Sequence, residues 1–309
     1  MHSHRLLAST LFALFLIACL PAQTKTVAER LGYPADSKLL IVHADDLAVA
    51  HSVDSASFEA LDKNAVTSAS IMVPCPWITE VAGYAKTHPD ADLGLHLTLT
   101  SEWTTYRWGS VAPADKVSSL LDPAGTFWSQ TEQIAAKARP QEVELELRAQ
   151  IDRAIGLGIH PTHLDSHMGS LLFTTPELFA TYVKVAHEYH LPFLAARFGG
   201  AQLPPVLSEK DVLLDAVIMA QPNVHGEQWK QFYLNSIKGL KPGFTEMIVH
   251  LGHDDAELQA VTVGHPDYGS AWRQRDYDFV TSPEFKKAVQ DNHVTLIKWK
   301  DLQKLLNQP

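Results

Sequence analysis

The chain has 309 residues, a formal net charge of −10, 46% hydrophobic residues and 19% charged ones. This is the composition of an ordinary globular protein with a sizeable core, and one large α/β domain fits the length as well as two small ones. The negative balance argues against nucleic acid as the main partner and leaves no polybasic patch for anionic lipid. Sixteen histidines agree with metal or acid–base chemistry, although a count alone says little.

The first 22 residues read as an export signal. His4 and Arg5 form a short positive region, Leu6 to Leu20 an apolar one, and Pro21-Ala22-Gln23 offers a small residue for cleavage. The run is too short and wrongly flanked for a spanning helix. Two readings stand. Either the signal is cut after Ala22, or Leu16-Ile17-Ala18-Cys19 is a lipobox whose cysteine is acylated and anchors the mature chain. Both place the protein outside the cytoplasm, in the periplasm or the extracellular space. After either cut only Cys75 remains unmodified, so no intramolecular disulfide forms and stability rests on the core.

From about residue 37 to residue 309 the chain reads as a single domain in which strands and helices alternate. Strands are expected at Leu39–Ala44, Ser68–Val73, Leu93–Leu99, His163–His167, Phe193–Ala196, Ala216–Met219, Glu246–His250 and Val294–Trp299. Helices are expected at Val53–Lys63, Ile78–Thr87, Gln141–Leu157, Pro176–Tyr189 and Glu284–Asn292. The alternation implies parallel strands with right-handed crossovers. Seven or eight units suggest an irregular (β/α) barrel; a doubly wound open sheet would also satisfy the pattern. Asp-Asp-Leu-Ala-Val-Ala after the first strand is no glycine-rich phosphate loop, so a dinucleotide site is not expected. Residues 100 to 139 form a long insertion, suited to capping a site. Its Trp103, Tyr106, Trp108, Phe127 and Trp128 could stack on sugar rings, with packing against the barrel the blander role for most of them.

Three strand ends carry the chemistry. The apolar run Leu39 to Val42 ends in His43, Asp45 and Asp46. Adjacent carboxylates at the mouth of a core repel each other, and a bound cation or a shared proton resolves the cost. Gly94-Leu95-His96-Leu97-Thr98 and Pro161-Thr162-His163-Leu164-Asp165-Ser166-His167 supply imidazoles and a further carboxylate. Strand alternation puts His163, Asp165 and His167 on one face, too polar to fill an apolar interior without partners. Carboxylates and imidazoles from separate strands outline a metal site.

As a set, these motifs resemble the YdjC-like carbohydrate deacetylases, a family that includes chito-oligosaccharide deacetylases. The resemblance extends from about residue 37 to residue 299. It implies an irregular barrel of the polysaccharide-deacetylase plan. It further implies one divalent ion (zinc or magnesium, with manganese or cobalt also suitable) on Asp46, His96 and His167, with Asp45 as catalytic base. His250, in Val249-His250-Leu251-Gly252, takes the place of the family's later histidine near the reacting carbonyl. Arg275 and Asp278 resemble an Arg-x-x-Glu segment that supports the site; His163 and Asp165, from their place on the strand face, are expected to bind substrate or support the site alongside Arg275. The chain departs from the family at Ala48, where glycine is frequent, at Met168-Gly169 after His167, and at Leu251 after His250. The implied reaction is hydrolysis of N-acetyl groups from an amino sugar or oligosaccharide. A glycoside hydrolase needs its two carboxylates across a bond rather than adjacent in sequence, and has no need of His96 and His167. The motifs also admit a metal hydrolase acting on an ester or another amide of a glycan, and a non-catalytic carbohydrate-binding barrel.

Overall fold

The computed structural model describes residues 25–197, 204–208 and 210–306, so the export signal and Cys19 lie outside the described residues. Seven parallel strands form one curled sheet: β1 (Lys38–Leu47), β2 (Ser68–Ile71), β3 (Leu93–Leu97), β4 (Leu164–Ser166), β5 (Ala216–Ile218), β6 (Gly243–Val249) and β7 (Val294–Leu296). The path runs β4-β3-β2-β1-β6-β5, and β7 pairs with the start of β1 on the edge that β2 occupies further along. Single parallel bridges, Leu164 to Phe193 and Ala196 to Leu214, carry the curl from β4 round toward β5. The result is an irregular barrel with helices outside, as the strand–helix alternation predicts. No helix among the described residues is long and apolar enough to cross a membrane.

Two apolar clusters divide the work. The larger lies between the sheet and the outer helices. The smaller fills the barrel: Leu39 and Ile41 of β1, Phe244 of β6, Leu194, Leu214 and Trp299 meet there. Because side chains alternate, the same inward series continues up β1 through His43 to Asp45, and up β6 through Glu246 to Ile248. The floor is apolar, and polarity begins one layer above it.

Some boundaries differ from those expected. The last strand stops at Leu296, and Trp299 instead begins the helix Trp299–Leu306, whose Leu302 and Leu305 close the barrel bottom. Helices Trp229–Gly239, Ala256–Val261 and Ser270–Val280 stand where the hydrophobic pattern predicts none. The insertion is irregular as expected, apart from two short 3-10 turns and the helix Thr131–Lys137. Its Trp108 and Phe127 are buried, which is the packing role, whereas Trp103 reaches a cavity.

Candidate active site

All strands are parallel, so their C-terminal ends meet at one rim, and a cavity of about 560 Å³ opens there. Asp45, Asp46, His96, Asp165, His167 and His250 all line it. Adjacent residues of a regular strand point to opposite faces, so Asp45 and Asp46 should not share a cavity. They do so because β1 is irregular: its register against β2 shifts between Ala44 and Leu47, and Asp46 adopts φ 71°. Ala48 (φ 75°) and Met168 (φ 53°) are also left-handed, a conformation that glycine adopts at less cost. Left-handed non-glycine backbone flanks the site at the ends of β1 and β4, a cost that clusters at functional positions.

The register of β3 on β4 sets His96 beside Asp165. Asp165 Oδ1 accepts from His96 Nδ1 at 2.6 Å, which leaves Nε2 facing Asp46 Oδ1 at 3.4 Å. His167 is held the other way round. Its Nε2 donates to Glu102 Oε2 at 3.0 Å, and its Nδ1 faces the same Asp46 oxygen at 3.3 Å. Each ring is therefore fixed by a carboxylate on its outer nitrogen and presents the inner one to a common point. Arg273 Nη2 takes the other Asp46 oxygen at 2.6 Å, while Oδ1 is buried without a hydrogen-bond partner. One carboxylate oxygen and two imidazole nitrogens, all within 4.8 Å of one another and with Oδ1 unsatisfied, fit a divalent cation.

Burial opposes the charge on Asp46, but Arg273, with His167 and His250, holds its carboxyl well below the usual carboxylate range. Burial likewise opposes a proton on His167, yet Glu102 and Asp46 push its pKa up to about 10. The two inner nitrogens compete for a proton or a cation at one place. Changing Glu102 to Gln should lower cation affinity about 10- to 100-fold, the usual loss for a partner that orients a ligand. Calorimetric titration with Zn²⁺ checks this, and unchanged affinity would remove Glu102 from the site.

Asp45 is held from below. His43 Nε2 lies 3.1 Å from Asp45 Oδ1 and 3.0 Å from Asp165 Oδ2, and Ser70 Oγ bonds both His43 and Asp45. Despite full burial, Asp165, Asp45 and Glu246 keep His43 well above the ordinary imidazole range, so it serves as a buried cation between carboxylates. His163 does not line the cavity. It stacks on Trp299, meets His43 edge-on and bonds Thr162, beneath the site. Gly94 makes this possible, because a Cβ there would collide with the His163 ring.

Glu246 accepts from Trp299 Nε1 at 2.6 Å, and burial raises its pKa to about 7. The unfolded carboxyl titrates near ~4.3, so this group costs stability progressively as pH rises through that value to about 7. Glu246→Gln can keep the Trp299 bond and has no charge to bury. Its stability relative to wild type should therefore grow from about pH 4 to about pH 7 and level off above, as ~RT-scale increments in denaturant titrations. A pH-independent difference would show that His43 fully offsets the charge.

His250 follows β6. Its Nε2 lies 3.9 Å from Asp45 and 4.0 Å from Asp46, and its backbone N–H donates to Asp276. Burial, with Arg273 and His96 nearby, lowers its pKa to about 4 against the pull of Asp46 and Asp45, so the ring rests neutral.

Two expected supports sit elsewhere. Arg275 lies over the Trp229 ring, 4.8 Å from its centroid, and outside the cavity lining, while Asp278 accepts from Gln274 at the surface. The same three-residue spacing two positions earlier supplies the working pair. Arg273 holds Asp46, and Asp276 accepts from His250 N, Trp229 Nε1 and Tyr233 OH. The helix settles the choice, since Trp272, Arg273, Asp276, Phe279 and Val280 form its buried face. The strand-end motifs point to neither Glu102 nor Glu246. The one signal for Glu102 is an acidic residue shortly after the His96 strand.

A barrel that gathers carboxylates, imidazoles and an unsatisfied ligand oxygen at its strand ends has the layout of a hydrolytic enzyme. A family model described as YdjC-like protein matches residues 39–291, and the chain belongs to that family. A carbohydrate deacetylase of Thermus thermophilus is 34% identical over 286 residues, covering 90% of this chain and 98% of the relative. A carbohydrate deacetylase of Brevibacillus brevis is 29% identical, covering 85% of this chain and 99% of the relative. Among solved structures, an Enterococcus faecalis protein described as a candidate cellobiose-phosphate cleavage protein superposes with a TM-score of 0.70 at 25% identity, covering 86% of this chain and 99% of that one.

Proposed function

We propose that this chain is a metal-dependent amidohydrolase that removes N-acyl groups, acetyl among them, from amino sugars or their oligomers. The observation that carries the reading is the convergence on Asp46 Oδ1 of two imidazoles whose outer nitrogens are tied to carboxylates. The carbohydrate deacetylases of Thermus and Brevibacillus support the substrate class, as does a Yersinia enterocolitica chitooligosaccharide deacetylase that is 30% identical over 176 residues.

Asp46, His96 and His167 hold the cation, which when bound polarises the amide carbonyl and makes water a better nucleophile at neutral pH. Asp45 accepts the proton of the attacking water, kept in place by His43 and Ser70. His250 begins the cycle neutral and gains a proton within it. Asp45 is the source, its Oδ2 lying 3.9 Å from His250 Nε2. His250 then protonates the leaving nitrogen. Arg273 fixes Asp46 and balances its charge. The N-terminal signal supports action outside the cytoplasm, as a released protein or one anchored through Cys19.

The test is acetate release from N,N'-diacetylchitobiose by protein stripped of metal and then reloaded with Zn²⁺ or Mg²⁺. Release only after reloading supports the reading. Equal release without metal overturns the metal's part, and no release with either ion overturns chito-oligosaccharide as the substrate.

A further inference from the structure

The cavity has two unlike walls. One is polar and aromatic: Glu102, Trp103 and Gln130 come from the insertion, and His265, Asp267 and Tyr268 from the segment before the helix Ser270–Val280. The other is apolar. Leu194 and Ala196, Val217 and Met219, and Ile248 all line it, from three neighbouring segments of the barrel. The pairing explains the agreement in direction. Val217 is in register with Glu246, which points inward to His43, so Val217 and Met219 point inward as well, beside Ile248. The wall reaches from buried Leu194 to Val217, which is 40% exposed. Among the described residues, these five side chains offer no hydrogen-bonding group.

An amide has two substituents, and the Asp46–His96–His167 point opens into the same cavity as both walls. A sugar ring needs partners for its hydroxyls and a face to stack on, which only the first wall provides. His250, the proton donor for the leaving nitrogen, has its ring 4.9 Å from Tyr268 of that same wall. The amine half therefore belongs on the polar side and the acyl half on the apolar side. A single methyl group would leave most of the apolar wall wet.

We infer that the preferred substrate is an amino sugar whose N-acyl chain is longer than acetyl. This rests on the amidohydrolase reading above and specifies its acyl group. In the reaction the amide C–N bond breaks and a C–O bond forms from water; one water proton goes to the leaving nitrogen and the other, lost as the new acid ionises, is taken up by the amine, so that a longer carboxylate and the ammonium form of the amino sugar leave.

The experiment compares N-acetyl-, N-butyryl- and N-hexanoyl-glucosamine, with p-nitrophenyl N-acetylglucosaminide as a fourth substrate, by release of free amine from metal-loaded protein. The expected result is a kcat/KM that rises about fourfold per buried methylene, the equivalent of ~0.8 kcal/mol each. Val217→Gln and Met219→Gln should each lower the hexanoyl-to-acetyl ratio, with melting temperature confirming that the variants fold. A kcat/KM that falls with each methylene while acetyl is cleaved overturns this inference and leaves deacetylation standing. A gain confined to the p-nitrophenyl glycoside overturns it too, and moves the apolar group to the sugar side. Cleavage of no N-acyl sugar overturns the amidohydrolase reading, and the inference with it.

Discussion

Protein carrying His167→Ala retains no divalent cation through gel filtration and shows no amide hydrolysis. His167 supplies one of the two imidazole atoms that converge on Asp46 Oδ1, and no other described imidazole faces that oxygen within 4.0 Å except His96. Loss of an orienting partner already costs about 10- to 100-fold in affinity, so loss of the ligand itself should exceed the upper figure. The cleanest readout is thermal. At a cation concentration of about 100 times Kd, wild type gains ~2.7 kcal/mol of stability, whereas the variant gains nothing at the same concentration. Circular dichroism separates this from misfolding. A variant with full activity and an undiminished thermal shift would remove His167 from the ligand set.

Arg273→Met should give the largest stability loss of any single change at the site. Arg273 is 1% exposed, bonds Asp46 Oδ2 and the Tyr268 carbonyl, and lies near the Trp103 ring. Removing one member of a buried ion pair leaves the other uncompensated, at about 3–5 kcal/mol. The pH dependence follows from Asp46. Its folded pKa is depressed, so its contribution is present above the unfolded value of ~3.9 and disappears as pH falls through the lower folded value. The variant loses part of that depression, and its acid-side decline in stability should be shallower. A cation supplies the positive charge that Met lacks, so added Zn²⁺ should raise the variant's melting temperature by more than it raises that of wild type. Equal shifts would show that Arg273 and the cation position are not coupled.

Much of this arrangement is legible in the chain. Asp45, Asp46, His96, Asp165, His167 and His250 stand at the ends of apolar strands, and each lines the cavity. Polar residues closing an apolar run have few reasons to be there. The residues that orient them are harder to see. Glu102 lies in an irregular insertion without periodicity, and its role depends on a contact with His167, 65 positions away. Glu246 sits mid-strand in Phe-Thr-Glu-Met-Ile, where only the barrel's inward face gives it meaning. Arg273 and Asp276 share a helix with Arg275 and Asp278 at the same spacing. Motif matching alone selects Arg275 and Asp278, and weighing Trp272, Phe279 and Val280 as one apolar face selects the buried pair, Arg273 and Asp276. The coplacement of Asp45 and Asp46 depends on a left-handed residue in β1, which no hydrophobic pattern encodes.

The ring of strands is not equally strong all the way round. β1 and β6 share a seven-residue ladder, whereas the curl between β4 and β5 is carried by two single bridges. β5 itself has three residues, two of them exposed. Backbone paired this sparsely opens at low free-energy cost, and its amides should exchange with solvent sooner than those of β1 or β6. Asp45 and Asp46 stand on β1 and His96 on β3, away from that seam, whereas His167 follows β4 at its border. The barrel can thus breathe on the side that bears the apolar wall while Asp45, Asp46 and His96 keep their spacing. A rigid half for chemistry joined to a compliant half for accommodation lets one scaffold drift in the size of what it accepts without rebuilding its catalytic centre.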